Sequence, residues 1–274
     1  MISCILKGGL GNQMFQIAAV IELSLNNRIP FCFDESTWPT MGGAGGEAFQ
    51  ASPPKNYLNN IFRKLPFKII KSKNMFNIYN EPFFHYSEIQ PRHNLLLNGY
   101  FQSDKYFIKN SKIIKKVFSP SKNIIEEFNS KYRLDNEHEL VSIHVRRGSH
   151  LRNPKYHGSC DLKYFQNSMS EFSDNARFLV FSDDMKWCKE NFNDERFVFV
   201  EGRKDYEDLY FMSLCDHNII CNSTFSWWSA WLNTNESKKV MSPKKWFGPG
   251  YSHHDLSDLT PTGWTIVDNG LEGE

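Results

Sequence analysis

The sequence predicts an α/β protein built of two Rossmann-like domains facing across a cleft. Three observations predict it. First, the second half carries strand-like apolar runs at 140–145, 178–182, 197–200, 218–221 and 239–242. Helix-like stretches separate them at 162–172, 185–191, 206–214 and 226–232. Strands joined by helical crossovers pair in parallel, which is the doubly wound pattern. Second, the N-terminus reads as strand 2–6, glycine turn 7–13, apolar helix 14–25 and strand 29–33, a single β-loop-α-β unit. Third, a chain of 274 residues that is 40% hydrophobic is large enough for two modest cores. The expected division is 1–135, an N-terminal α/β domain, and 136–274, a C-terminal Rossmann-like domain.

The text between these elements is less regular. Residues 40–54 are rich in Gly, Ala, Ser and Pro and read as a loop. Residues 95–99 form a strand, 108–118 a basic helix, and 119–139 a connector with a helix inside it. Asn26 and Asn27 are a plausible stop for the first helix. Asp161 and Asp205 stand where helix caps are needed.

Composition excludes several classes. A net charge of +1 gives no reason to expect nucleic acid. The six cysteines contain no Cys-x-x-Cys pair, so buried thiols in a reducing compartment fit better than a disulfide framework. No metal-ligand spacing appears. The first glycine turn follows within a few residues of the start, and no apolar run reaches membrane-spanning length. A cytoplasmic domain is the expectation. The basic segments 63–73 and 105–122 interleave Lys with Phe and Ile. They read first as a solvated face and second as a peripheral contact with anionic membrane.

Four motifs carry the chemistry. In Gly8-Gly-Leu-Gly-Asn-Gln13, glycines let backbone approach a ligand, and a helix start offers amide donors. It is not Gly-x-Gly-x-x-Gly, and a tight turn is the plainer alternative. The second motif, Val141-Ser-Ile-His-Val-Arg-Arg-Gly148, puts Arg146 and Arg147 at the mouth of a buried strand, where α/β sheets bind ligands. Arginine suits phosphate because its guanidinium donates two parallel hydrogen bonds. By alternation His144 and Arg146 face one side, Val145 and Arg147 the other, so one arginine grips ligand while the other braces a loop. The third, Phe181-Ser-Asp-Asp184, offers two carboxylates at a strand end, with helix capping the ordinary role of Asp184. In the fourth, Cys221-Asn-Ser-Thr-Phe-Ser-Trp-Trp228, hydroxyls at a helix start make a second anion site. Trp227, Trp228 and Trp231 at helical spacing read as core.

Together these motifs resemble glycosyltransferase family 11, the α-1,2-fucosyltransferases. The likeness runs through Gly8-Gly-Leu-Gly-Asn-Gln-Met-Phe-Gln16, Gly99-Tyr-Phe-Gln102, His144-Val-Arg-Arg-Gly148, Phe181-Ser-Asp-Asp184 and Asn222-Ser-Thr-Phe-Ser-Trp-Trp228, in the family's order. The resemblance implies a GT-B fold, with GDP-fucose as donor substrate bound by the 136–274 domain and the 1–135 domain on the acceptor side. It also implies inversion at the fucose carbon, no metal or other cofactor, and a galactose-like acceptor hydroxyl on an oligosaccharide or glycolipid. Under it, Arg146 or Arg147 neutralises the diphosphate. Asn222, Ser223, Thr224 and Phe225 close on the phosphates, His144 and Asp183 contact guanosine, and Gly9, Gly11, Asn12 and Gln13 line the cleft from the other domain. The family motif continues Arg-Arg-Gly-Asp-Tyr, whereas this chain has Ser149 and His150. His150 is the expected replacement base. Two other readings stay open: a transferase of a different GDP-sugar, and a silent nucleotide- or glycan-binding relative.

Overall fold

The structure is a computed structural model that describes residues 1–35, 55–133 and 138–271. The loop expected over 40–54 lies outside them. The chain divides into two compact units, one of residues 1–119 with 255–261, the other of residues 120–254 with 262–274.

In the second unit a six-stranded, wholly parallel sheet runs in the order Thr265–Val267, Val240–Pro243, His217–Ile219, Leu140–Val145, Arg177–Ser182, Phe197–Phe199. Both faces are covered. Val141, Ile143 and Val145 pack with Tyr164, Phe165 and Cys188 on one side. Leu140, Leu179 and Phe181 pack with Phe128, Phe211 and Met212 on the other. Strand alternation delivers side chains to both layers. Each fully buried large apolar side chain contributes roughly 1.5–3 kcal/mol. Trp227 and Trp228 are fully buried, as their helical spacing predicts. The strand and helix positions read from the sequence hold to within a few residues. The Thr265–Val267 edge strand carries too little apolar text to be read beforehand.

The first unit holds a three-stranded parallel sheet, Ile2–Cys4, Leu95–Asn98, Asn77–Asn80, and a parallel pair, Phe33–Asp34 with Phe67–Lys68. Four expectations are corrected. The first helix spans Leu10–Asn27, starting four residues before the predicted Met14, because Leu10 and Gly11 are buried in its first turn. Gly11, Asn12 and Gln13 are therefore helical residues. The strand expected over 29–33 reduces to a single bridge at Phe31 and the short Phe33–Asp34 strand. The basic helix splits into a 3-10 turn, Ile108–Asn110, and the helix Ser111–Val117. Asp161 caps its helix by accepting from Tyr164 N–H at 2.7 Å, but Asp205 does not cap. Glu207 reaches back to the Lys204 N–H at 3.1 Å, so the helix start is fixed one residue earlier. All six cysteines are buried thiols. No described helix is long and apolar enough to cross a membrane.

Candidate active site

The central strand Leu140–Val145 is flanked by Arg177–Ser182 and His217–Ile219, with His144 opposite Phe181 and Val145 opposite Ser182. Parallel pairing brings three carboxyl-end loops side by side: Arg146–Gly148, Asp183–Asp184 and Asn222–Thr224. The register sets the ion pairs. Arg146 Nη1 lies 3.1 Å from Asp183 Oδ2, and Arg147 Nε lies 3.1 Å from Asp184 Oδ2. Asp183 Oδ1 also accepts from the Arg147 backbone N–H at 2.9 Å. Burial pushes the Asp183 carboxyl up, but the Arg147 and Gly148 N–H groups and the Arg146 charge outweigh it and hold it below the ordinary value. A Cβ at Gly148 would come within 2.8 Å of Asp183 Oδ2, which is why glycine follows the arginines.

The two arginines differ in setting. The Arg147 guanidinium lies over the Trp187 ring, 4.3 Å from its centre, while Asp184 caps the Trp187 helix at 3.2 Å. Its side chain is 20% exposed, against 39% for Arg146. Arg147 is the brace, and Arg146 is the more open cation.

His144 is buried, with Nδ1 at 3.0 Å from Cys221 Sγ and its ring against Phe225 at 5.3 Å. Burial, then the Arg146 charge, drives its imidazole down to about 3, so it is neutral near pH 7. His150, in the short helix Gly148–Arg152, places Nδ1 3.1 Å from the Gly158 carbonyl. Burial first, then His157 and Arg146, lower it to about 4. The neutral ring therefore donates from Nδ1 and presents Nε2 as an acceptor. Ser149 sits in the same helix. Ser223 caps the helix Thr224–Leu232, its Oγ accepting from Phe225 N–H at 3.4 Å. Asn222 is buried, and its Nδ2 donates to the carbonyls of Gly158 and Trp246.

In the first unit, two motifs meet. Gly8 has φ +75, and a Cβ there would lie 2.4 Å from Asn12 Nδ2. Gly9 is extended and exposed at the helix start, with no side-chain cap. Gln102 Nε2 donates to Asn12 Oδ1 at 2.9 Å, and Gln16 Nε2 donates to the Gly99 carbonyl at 3.2 Å. Gln16 also clasps Lys7, accepting from its N–H at 3.0 Å and donating to its carbonyl at 3.2 Å. Gln13 is buried; its Nε2 donates to Gly8 O at 3.1 Å, while Oε1 has no partner among the described residues.

Sequence reasoning missed Glu81. Its carboxylate accepts from Tyr100 N–H at 2.6 Å and Phe101 N–H at 3.0 Å, holding Phe101 at φ +53. A lone glutamate far upstream gives no local signal. It also missed Asp208, which burial pushes up to about 7 and whose Oδ1 has no partner among the described residues. Among the described residues no group of three or more His, Cys, Asp or Glu could hold a metal.

A parallel α/β fold with paired arginines at its carboxyl edge defines a ligand site of the α/β class suited to an anionic group. The glycosyl transferase family 11 model matches residues 1–265, and the chain belongs to that family. It is 29% identical to the O-antigen biosynthesis glycosyltransferase WbnK of Escherichia coli, over 96% of this chain and 99% of that one. It is also 29% identical to an E. coli alpha-1,2-colitosyltransferase, over 88% and 91%. The human galactoside alpha-(1,2)-fucosyltransferase 1 is 25% identical, over 95% and 76%. Among solved structures, the fucosyltransferase NodZ from Bradyrhizobium shares the fold at a TM-score of 0.50 and 12% identity, covering 83% of this chain and 92% of that one.

Proposed function

We propose that the protein is an inverting, metal-independent transferase that moves L-fucose from GDP-fucose to a galactose-like hydroxyl of a surface glycan, in α-1,2 linkage. The observation that carries this reading is Arg146, half-exposed at the carboxyl edge, oriented by Asp183 and beside the Ser223-capped helix start. The acceptor oxygen forms its bond to the anomeric carbon as the carbon–phosphate oxygen bond breaks. The electron pair leaves with GDP. Arg146 and the Thr224 N–H at the helix start meet that growing charge without having to reorganise.

His150 Nε2 takes the acceptor proton. A bound diphosphate offsets the Arg146 charge that helps hold His150 at about 4, so the imidazole becomes more basic once donor is in place. His144 and Asp183 are the nucleoside-side contacts, and the open Gly9–Gln13 helix start is a second candidate for ligand hydroxyls. The α-1,2 relatives support the linkage. A second reading, a colitosyl donor, is favoured by the alpha-1,2-colitosyltransferase relative. Exposed Ile69, Ile108 and Ile113 beside lysines support peripheral contact with an anionic membrane, which salt-sensitive liposome binding tests.

The deciding experiment incubates the protein with GDP-fucose or GDP-colitose and a galactoside panel, and maps product linkage by NMR. Transfer to another position overturns the linkage. No GDP binding by calorimetry overturns the donor class.

A further inference from the structure

Beside His150, two loops of the second unit meet ring to ring. Residues 153–158 supply Tyr156 and His157, and residues 246–254 supply Phe247, Tyr251 and His254. Tyr156 and Tyr251 are 5.1 Å apart between ring centres, Phe247 and Tyr251 5.2 Å, and Tyr251 and His254 5.6 Å. His157 joins this group through Phe247 at 6.3 Å, and stacks on His150 at 5.3 Å with 19° between the planes. All of these residues are half-buried.

The loops are docked through their backbones. Gly248 N–H donates to Tyr156 O at 3.1 Å, and Gly250 N–H to Lys155 O at 2.7 Å. A Cβ at Gly248 would lie 2.3 Å from Pro154 O, and one at Gly250 would lie 2.8 Å from the Tyr156 ring. Only glycine permits this approach. Beneath, Asn222 Nδ2 donates to Gly158 O in one loop and to Trp246 O in the other, at 3.0 Å for the latter. The Gly158 carbonyl also receives His150 Nδ1. One buried amide thus ties both loops and the imidazole to a common base.

We propose that this surface is the acceptor platform, in the second unit and not in the 1–135 domain that the sequence places on the acceptor side. It takes one neutral hexopyranose against Tyr156, Phe247 and Tyr251, and turns a ring hydroxyl toward His150. A pyranose presents a flat C–H face, which the electron-rich face of an aromatic ring attracts, while hydroxyls at its edge reach tyrosine and histidine polar atoms. Rigid rings lose little conformational freedom on binding. Asn222 is, on this view, a positioning residue for the platform. The proposal rests on the transferase reading above, which makes His150 the base.

Two measurements separate the platform from the donor site. Saturation-transfer NMR with methyl β-galactoside and no nucleotide is expected to show transfer from aromatic protons to the sugar ring. Tyr251→Ala and Phe247→Ala are each expected to raise the acceptor KM about tenfold, while Tyr251→Phe stays within about twofold of wild type. Phe247→Leu, which keeps apolar volume but no ring, substitutes for an alanine variant that does not fold, with the same expected rise. GDP affinity by calorimetry is expected to be equal in all variants. An unchanged acceptor KM in the ring-deleting variants, or no saturation transfer, overturns the platform. A wild-type protein that binds the galactoside but not GDP overturns the donor reading and leaves the platform standing.

Discussion

Lowering the pH from 7 to 5 is expected to destabilise the wild-type protein by about 2 kcal/mol more than a His144→Gln variant. The native value of His144 is about 3, against an ordinary 6.5, because burial and Arg146 oppose its charge. Between those values the unfolded chain binds a proton that the native state refuses. Stability therefore falls as pH falls through this window. With the unfolded imidazole titrating at 6.5, the fall to pH 5 costs about 1.4 pH units of proton binding, each worth about 1.4 kcal/mol. Asp208, raised to about 7, titrates in the opposite sense, and His150 in the same sense. Both are common to the two proteins and cancel in the difference. Urea unfolding at the two pH values, with m-values compared, measures it. If wild type and variant lose the same stability to within about 0.5 kcal/mol, His144 is not held neutral by burial and the Arg146 charge.

Three further outcomes follow from the geometry. Arg146→Ala is expected to weaken GDP binding by roughly ten- to a hundredfold with little change in stability, whereas Arg147→Ala, which removes the Trp187 stack and the Asp184 pair, lowers Tm; calorimetry and thermal unfolding distinguish them. His150→Ala should retain GDP affinity and lose about 10²–10⁴ in kcat, with full turnover on the true acceptor excluding it as the base. Gln16→Leu strands the Lys7 N–H and the Lys7 and Gly99 carbonyls, costing about 3 kcal/mol in urea unfolding.

The parallel sheet of the second unit is legible because its strands are short, β-branched and regularly spaced, and because both faces are covered. Strand alternation alone predicts that Arg146 and Arg147 face opposite ways; which of them stacks on Trp187 and which is more open is decided by the structure. The first unit is harder to read. Its strands are only two to four residues long, and its helix start is masked by glycines that look like a turn. Asn222 illustrates a different limit. Its motif marks it as a ligand residue, but which of several carbonyls its amide meets depends on loops 64 and 24 residues away in sequence.

By itself, the sequence determined the fold class, the cationic strand mouth, the buried thiols and the tryptophan core. These follow from local periodicity and from which side chains water excludes. Only the tertiary structure decided that Asp183 orients Arg146, that Glu81 fixes the Tyr100–Phe101 backbone, and that two glycine-docked loops lay aromatic rings beside His150. Each depends on distances between residues far apart in the chain. Parallel pairing and backbone packing set those distances, and no local pattern encodes them.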